Sequence, residues 1–244
     1  MSKFVVDKFY PQNTATVMEF VYDSFCSIFS DSQLQQYEIS VLHWNGEYPQ
    51  TAPKRLNPGI QEDYIIQITS EPLSWCQIVY QLSHELSHVA MGCYPEEQKF
   101  RWLSECLCEG ASLYILDISP VFFQQLNSPY VETIRDYLIN KVINKSRNYT
   151  KHELKTYISK NLDDLTKDPT EDGKMGRPRN APIGKYFYKI IKTNPGGWQA
   201  ISLFADNRMR NCMSLDEFMI HWRICCKNES ERKFVESILE VFSD

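Results

Sequence analysis

The sequence has no excess of positive charge and no run of basic residues. Its formal net charge is −5 over 244 residues. Surfaces that bind nucleic acid carry clustered lysine and arginine, because these side chains neutralise phosphates. We therefore expect no nucleic-acid partner.

The chain also lacks the signals that direct a protein to a membrane. Its first residues, MSKFVVDKFYPQNTA, do not have the basic and then apolar order of a signal peptide. No apolar run approaches the length that spans a bilayer. We expect a soluble, cytoplasmic protein without a membrane partner.

Paired C-x-x-C spacings of the kind found in structural zinc sites are absent, although the chain has eight cysteines. Without an export signal these cysteines are expected to be reduced thiols. Cys106 and Cys108 lie in an apolar segment, and Cys225 and Cys226 follow FMIHWRI. We expect all four to be buried as small hydrophobic residues, with a redox pair as the weaker alternative.

A hydrophobic content of 43% is sufficient for a globular core. Alternating apolar residues predict strands in KFVVDKFY, YEISVLHW and DYIIQITS, and the 3.6-residue period predicts a helix from Asn13. The proline-rich segment GEYPQTAPKRLNPG, before the last strand, is predicted to be an exposed loop and a candidate lid. These elements predict an α+β front half.

Two helices are predicted next. Pro72 is expected to open the first, with Ser70 as its N-cap and Gly92 as its end. The second runs from about Lys99 to Asp117.

The remainder beyond Pro120 has mostly helical periodicity. It is interrupted by a polar segment rich in glycine and proline, Asp164 to Gly184, which is predicted to be a loop or an internal boundary. We therefore divide the chain into an α+β lobe, residues 1–118, and a helical lobe, residues 119–244.

Polar residues interrupt the apolar stripe of the first predicted helix. In QLSHELSHVAMG, His84 and His88 are one helical turn apart and project from the same face. Neutral imidazoles bind zinc, and the adjacent Glu85 is displaced slightly around the helix, where it can take a proton from water on the metal. This H-E-x-x-H pattern is a zinc metalloprotease signature. The structural alternative is that both histidines only hydrogen-bond to nearby carbonyls or carboxylates.

A catalytic zinc site normally needs a third protein ligand. The metzincin extension is excluded, since Met91 and Tyr94 stand where glycine and histidine are required. RWLSECLCEGASLYIL supplies Glu105 and Glu109, which share one face of the second predicted helix. Sixteen residues separate His88 from Glu105 and twenty separate it from Glu109. The alternative is that both glutamates are solvated surface residues.

The segment His84-Glu85-Leu86-Ser87-His88, followed by Trp102-Leu103-Ser104-Glu105, resembles the gluzincin metallopeptidases, the group of thermolysin and aminopeptidase N. The resemblance covers about residues 63 to 116. It implies a zincin-like fold and one zinc ion per chain.

The resemblance also implies a role for each matching residue. His84, His88 and Glu105 would bind zinc, Glu85 would be the general base, and Glu109 would orient the first histidine. The sequence departs from the family at Cys106, where aminopeptidases have glycine, and Glu-Gly-Ala follows instead at residues 109–111. The family spacing lies between the two observed values, so Glu109 remains an alternative ligand.

The expected reaction is peptide hydrolysis by metal-activated water. An oxyanion donor is also needed, and the sequence does not choose among Tyr114, Tyr186, Tyr188 and His221. Because no complete set of donors is visible, an inactive zinc protein that binds a peptide or protein partner is the alternative. DYIIQITS stands where aminopeptidases have their exopeptide-binding motif, so recognition of a substrate's N-terminal amine is not supported, and endopeptidase action is only the default.

Overall fold

The computed structural model describes residues 4–29, 34, 37–54, 63–93, 100–142, 144, 147–166 and 176–242. Within them, a small mixed sheet has the strand order β1-β2-β4-β3. Its strands are β1 (Phe4–Val6), β2 (Ile39–His43), β3 (Gln50–Lys54) and β4 (Asp63–Ile68). β1, β2 and β4 are parallel, and β3 pairs antiparallel with β4. The three predicted strands are confirmed.

Strand β3 corrects the prediction of an exposed loop in GEYPQTAPKRLNPG. Thr51 pairs with Ile66 and Ala52 with Ile65 of β4. Pro53 is compatible with β3 because this strand lies at the sheet edge, where proline is found in strands. The local composition favours a turn, but pairing with β4 overrides it. Residues 55–59 of the predicted loop lie outside the described residues.

Helices α1 (Gln12–Ile28) and α2 (Trp75–Ala90) pack against each other, and α2 also contacts β3 and β4. The predicted start of α2 was wrong. Pro72 precedes the helix and its carbonyl accepts a hydrogen bond from Thr14, while the Ser70 hydroxyl donates to Gln81 at 2.7 Å instead of capping. The predicted end is confirmed, because Gly92 has φ 67°, which terminates the helix.

Helix α3 (Arg101–Gln125) continues beyond the predicted end at Asp117 and contains Pro120. Phe122 stacks on Phe20 with ring centroids 4.2 Å apart, and Phe123 stacks on Trp75 at 5.7 Å. These contacts offset the hydrogen bond that Pro120 removes. The helix is therefore continuous across residue 118, where the sequence analysis divides the lobes. Lys99 lies outside the described residues.

By length and composition α3 is apolar enough to cross a membrane, which the sequence analysis did not anticipate. However, 72% of its most apolar window is buried inside the protein. Its apolar side chains contact α1, α2 and α6, as expected of a core helix in a soluble protein.

The rest of the described chain is helical, as predicted, and the α+β class is confirmed. It comprises α4 (Tyr130–Asp136) continuing as a π-helix (Tyr137–Val142), α5 (Lys151–Leu165), α6 (Gly176–Thr193), a 3₁₀ helix (Pro195–Ala205), α7 (Asn207–Arg210), α8 (Leu215–Cys225) and α9 (Glu229–Leu239). The loop predicted up to Gly184 was wrong from Gly176 onward, and residues 167–175 lie outside the described part of the chain.

Helix α6 packs closely on α3 through two glycines. A Cβ on Gly110 would lie 3.1 Å from the carbonyl oxygen of Gly184 and 3.1 Å from the backbone nitrogen of Tyr188. A Cβ on Gly184 would collide with the side chain of Glu109. This close approach explains why a glycine-rich and proline-containing segment is helical here.

All eight cysteines lie in the described part of the chain, and none forms a disulfide, in agreement with the prediction. Cys106, Cys108 and Cys226 are buried, and Cys225 is partly buried.

Candidate metal centre

The H-E-x-x-H segment and the two glutamates lie on helices that pack directly on each other, α2 and α3. His84, Glu85 and His88 belong to α2, and Glu105 and Glu109 belong to α3. His84 and Glu85 are buried, and the side chains of His88 and Glu105 are about one-fifth exposed. The structure therefore brings the residues singled out by the sequence to one helix interface.

Glu105 faces both histidine rings. Its Oε2 lies 3.1 Å from Nε2 of His84, and its Oε1 lies 3.5 Å from Nε2 of His88. The two ring centroids are 5.1 Å apart. Each oxygen of the Glu105 carboxylate thus faces one of the two imidazole rings.

The two distances from Glu105 to the histidines fit a shared zinc ion. Ligand atoms at about 2.0 to 2.1 Å from a tetrahedral zinc ion lie about 3.4 Å from one another. The distances from Glu105 to the two Nε2 atoms, 3.1 and 3.5 Å, are close to that separation. His84, His88 and Glu105 would hold the ion.

The local electrostatics favour the ligand forms of His88 and Glu105. Burial lowers the pKa of His88, against the opposing effect of Glu105 and Glu85, so that its ring is neutral. Burial alone would raise the pKa of Glu105, but the hydrogen bond with His84 and the charge of Arg101 hold it below its usual range. A neutral imidazole and an ionised carboxylate are the states that bind a metal.

Arg101 begins α3, one turn before Glu105. Its Nε lies 3.7 Å from Oε1 of Glu105. The guanidinium therefore adds a positive charge beside the carboxylate.

Glu85 is held by the edge strand. The hydroxyl of Thr51 on β3 donates a hydrogen bond to Oε2 of Glu85 at 2.7 Å. Glu85 is only 3% exposed. A carboxylate that is this buried needs a hydrogen-bond donor, and Thr51 supplies one. One oxygen of Glu85 is thus bound and oriented by the sheet.

Glu109 lies one turn beyond Glu105 and has a different contact. Its Oε2 accepts a hydrogen bond from the hydroxyl of Tyr80, which is one turn before His84 on α2. Ser112 on α3 donates to the backbone carbonyl of Tyr80 at 2.9 Å. Glu109 therefore joins α2 to α3 next to the histidine pair.

Cys108 also reaches the centre. Its Sγ lies 3.6 Å from Nδ1 of His88, and potential ligand atoms of His84, His88 and Cys108 all lie within 4.8 Å of one another. Among the described residues this is the one group of three or more such side chains within that distance. Burial raises the pKa of the Cys108 thiol well above its usual value, as do the charges of Glu105 and Glu85.

The four candidate oxyanion donors have contacts elsewhere. The Tyr188 hydroxyl lies 3.4 Å from Nζ of Lys192, which pairs with Asp117 far along α3. His221 contacts Sγ of Cys212 at 3.7 Å. Tyr114 packs on Trp198. Burial raises the pKa of Tyr186, and its charged neighbours are Lys151 and Glu240. None of these contacts involves His84 or His88.

Sequence reasoning missed Thr51, Tyr80 and Cys108 as neighbours of the centre. The sequence predicts a loop at Thr51 and a buried small hydrophobic residue at Cys108. Only helical spacing offered a signal: Tyr80 is one turn before His84 on α2, and Cys108 is three residues after Glu105 on α3.

A scan against protein-family models and searches of curated proteins and solved structures found no match to this chain.

Proposed function

We propose that this chain is a zinc-dependent metallopeptidase with a zincin-like fold. The observation that carries the proposal is the carboxylate of Glu105, which faces Nε2 of both His84 and His88 at 3.1 and 3.5 Å. Glu85, on the same helix as the histidines, supplies the carboxylate that such a reaction requires. Three protein ligands leave a fourth position for water, as in catalytic zinc sites.

Bound zinc would polarise the scissile carbonyl and acidify water. Glu85 accepts the proton from the attacking water and delivers it to the leaving amine, while the C–N bond of the peptide breaks. The hydrogen bond from Thr51 holds one oxygen of Glu85, so the other is available for this transfer.

Glu105 is the third ligand in this proposal, and Glu109 is a supporting residue. Glu105 is within 3.5 Å of both rings, whereas Glu109 accepts a hydrogen bond from Tyr80. The substrate is a peptide or protein, and the proposed location is the cytoplasm, without a membrane or nucleic-acid partner.

One observation favours an alternative function, a zinc protein that binds a peptide or protein without cleaving it. Tyr188 and His221 have contacts with Lys192 and Cys212, away from the centre. A centre without an oxyanion donor loses a large part of the catalytic power of a peptidase.

The test is the zinc content of protein purified without a metal-binding tag, measured by elemental analysis. We expect about one equivalent per chain in the wild type, a loss in His84→Ala and Glu105→Ala, and retention in Glu109→Ala. Loss in Glu109→Ala with retention in Glu105→Ala would exchange the two roles. No zinc in the wild type after reconstitution and dialysis would refute both functions.

A further inference from the structure

The ring of His88 has a contact at each of its nitrogens. Nε2 lies 3.5 Å from Oε1 of Glu105, and Nδ1 lies 3.6 Å from Sγ of Cys108. The two nitrogens are on opposite sides of the imidazole. Glu105 and Cys108 therefore hold the ring from two directions, although both belong to α3.

The proposed function sets the tautomer of His88. A neutral imidazole has one nitrogen that carries a proton and one that has a free lone pair. If Nε2 gives its lone pair to zinc, the proton must be on Nδ1. The nearby sulfur is then an acceptor for that N–H.

We propose that Cys108 is a positioning residue for the metal ligand His88, accepting a hydrogen bond from Nδ1–H. This inference rests on the proposed zinc site and deepens it. The outer nitrogen of a metal-bound histidine is usually held by a carboxylate, a carbonyl or water. Here a buried sulfur takes that place, and it turns Nε2 toward His84 and Glu105.

Potential ligand atoms of His84, His88 and Cys108 lie within 4.8 Å of one another, so Cys108 can bind an ion held by Nδ1 of His88, but the proposed function places the ion at Nε2. The sulfur of Cys108 is beside Nδ1, whereas Glu105 and His84 meet at the Nε2 side. An ion bound to Nε2 lies on the far side of the ring from the sulfur. The fourth position therefore stays open, as a catalytic site requires.

The chain offers a matched control for a test at Cys108. Cys106 is on the same helix, is equally buried and has the same side chain. Its carbonyl oxygen faces Gly184 on α6, so it belongs to the α3–α6 contact. Alanine at either position removes one buried thiol. Only Cys108→Ala also removes the hydrogen-bond acceptor beside His88.

The experiment compares zinc dissociation constants of the full-length wild type, Cys108→Ala, Cys108→Ser and Cys106→Ala by competition with a chelating dye. We expect Cys108→Ala to weaken zinc binding by about 10 to 100-fold. Cys108→Ser keeps an acceptor and should restore part of the affinity, and Cys106→Ala should stay within about threefold of the wild type. Wild-type affinity in Cys108→Ala would overturn the positioning role.

Spectroscopy separates positioning from ligation and from a packing effect. In zinc-loaded protein, ¹⁵N NMR should show His88 protonated at Nδ1, and this proton should exchange faster with water in Cys108→Ala. Cobalt-substituted wild type should lack an intense sulfur-to-metal charge-transfer band, and the appearance of that band would make Cys108 a ligand instead. Zinc binding without peptide hydrolysis would count against the peptidase function alone, whereas a wild type that binds no zinc would refute both.

Discussion

At the scale of single residues, Glu85 is the group whose role is most sharply testable. It is buried, it accepts a hydrogen bond from Thr51, and it follows the proposed ligand His84 directly in the sequence. Glu85→Gln keeps the shape and the hydrogen-bond acceptor but removes the base. We expect peptide hydrolysis to fall by about 10²- to 10⁴-fold. Zinc content should stay at the wild-type level.

Turnover of a quenched peptide library and elemental analysis on the same samples measure both effects. Loss of zinc together with activity would indicate that Glu85 is needed for the structure of the centre. Unchanged turnover would remove Glu85 from the mechanism.

Thr51 permits a second, milder test. Thr51→Val preserves the volume and the β-branched shape on β3 while it removes the hydrogen bond to Oε2 of Glu85. Because a hydrogen bond to a charged group contributes about 1.5 to 3 kcal/mol, we expect kcat to fall by about tenfold or more. The zinc dissociation constant should not change. Thr16→Val, on α1 with a hydroxyl bonded only to its own helix turn, is the matched control.

At the scale of elements, the crossing of α3 and α6 depends on glycine. Gly184→Ala would place a Cβ 2.5 Å from Cβ of Glu109, so the helices must separate. Overpacking of this kind costs about 1 to 3 kcal/mol of stability. Gly196→Ala is the control, since its Cβ would meet Ser230 at an ordinary 3.6 Å. Urea denaturation of both variants measures the difference, and equal midpoints would contradict the close packing.

The start of α5 is a capping box. Thr150 accepts from the backbone of Glu153, and the Glu153 carboxylate accepts from the backbone and hydroxyl of Thr150. Thr150→Ala should destabilise the protein by about 1 kcal/mol. Thr156→Ala, an exposed position inside the same helix, should cost little or stabilise, because alanine favours a helix interior.

The same cap has a defined pH dependence. The Thr150 backbone amide, its hydroxyl and Arg147 hold the pKa of Glu153 below its ordinary value. A carboxyl with a lowered pKa in the folded state stabilises the protein above its unfolded pKa, and this contribution is lost as pH falls through the folded value. Glu153→Gln should therefore be less stable than the wild type at pH 7, and the difference should be smaller at pH 3. An equal difference at both pH values would exclude this linkage.

Prediction from sequence succeeded where the signal was local. Period-3.6 patterning located α1, α2 and the body of α3, and the spacing of His84, His88 and Glu105 anticipated residues that lie together in the structure. It failed where a distant partner decides the conformation. β3 is a strand because β4 pairs with it, and the predicted loop is helical at Gly184 where α6 packs closely on Gly110 of α3. Thr51 reaches Glu85 across 34 residues, a contact that no local pattern encodes.

At the scale of the whole molecule, metal binding should be coupled to stability. The proposed ligands belong to α2 and α3, which contact the sheet, α1 and α6. At a free zinc concentration of 100 times the dissociation constant, binding to the folded state alone adds about 2.7 kcal/mol. For a chain of this size that corresponds to a rise of about 5 to 10 °C in Tm.

Differential scanning calorimetry with zinc, and then with a strong chelator, measures this rise. His84→Ala should show no dependence on zinc, while Glu109→Ala should retain it. A zinc-independent Tm in the wild type would contradict a site shared by the two helices.

The candidate metal centre is compact in sequence. Every proposed ligand, and Cys108 as the proposed support of His88, lies between His84 and Cys108, which is 25 consecutive positions of a 244-residue chain. The entropy lost when a loop closes grows with its length, so contacts between near neighbours in sequence form at the lowest cost. The α2–α3 hairpin therefore has a low contact order, unlike the pairing of β1 with β2, and is expected to form early in folding. The proposed ligands would then come together before β3 pairs with β4 and places Thr51 beside Glu85.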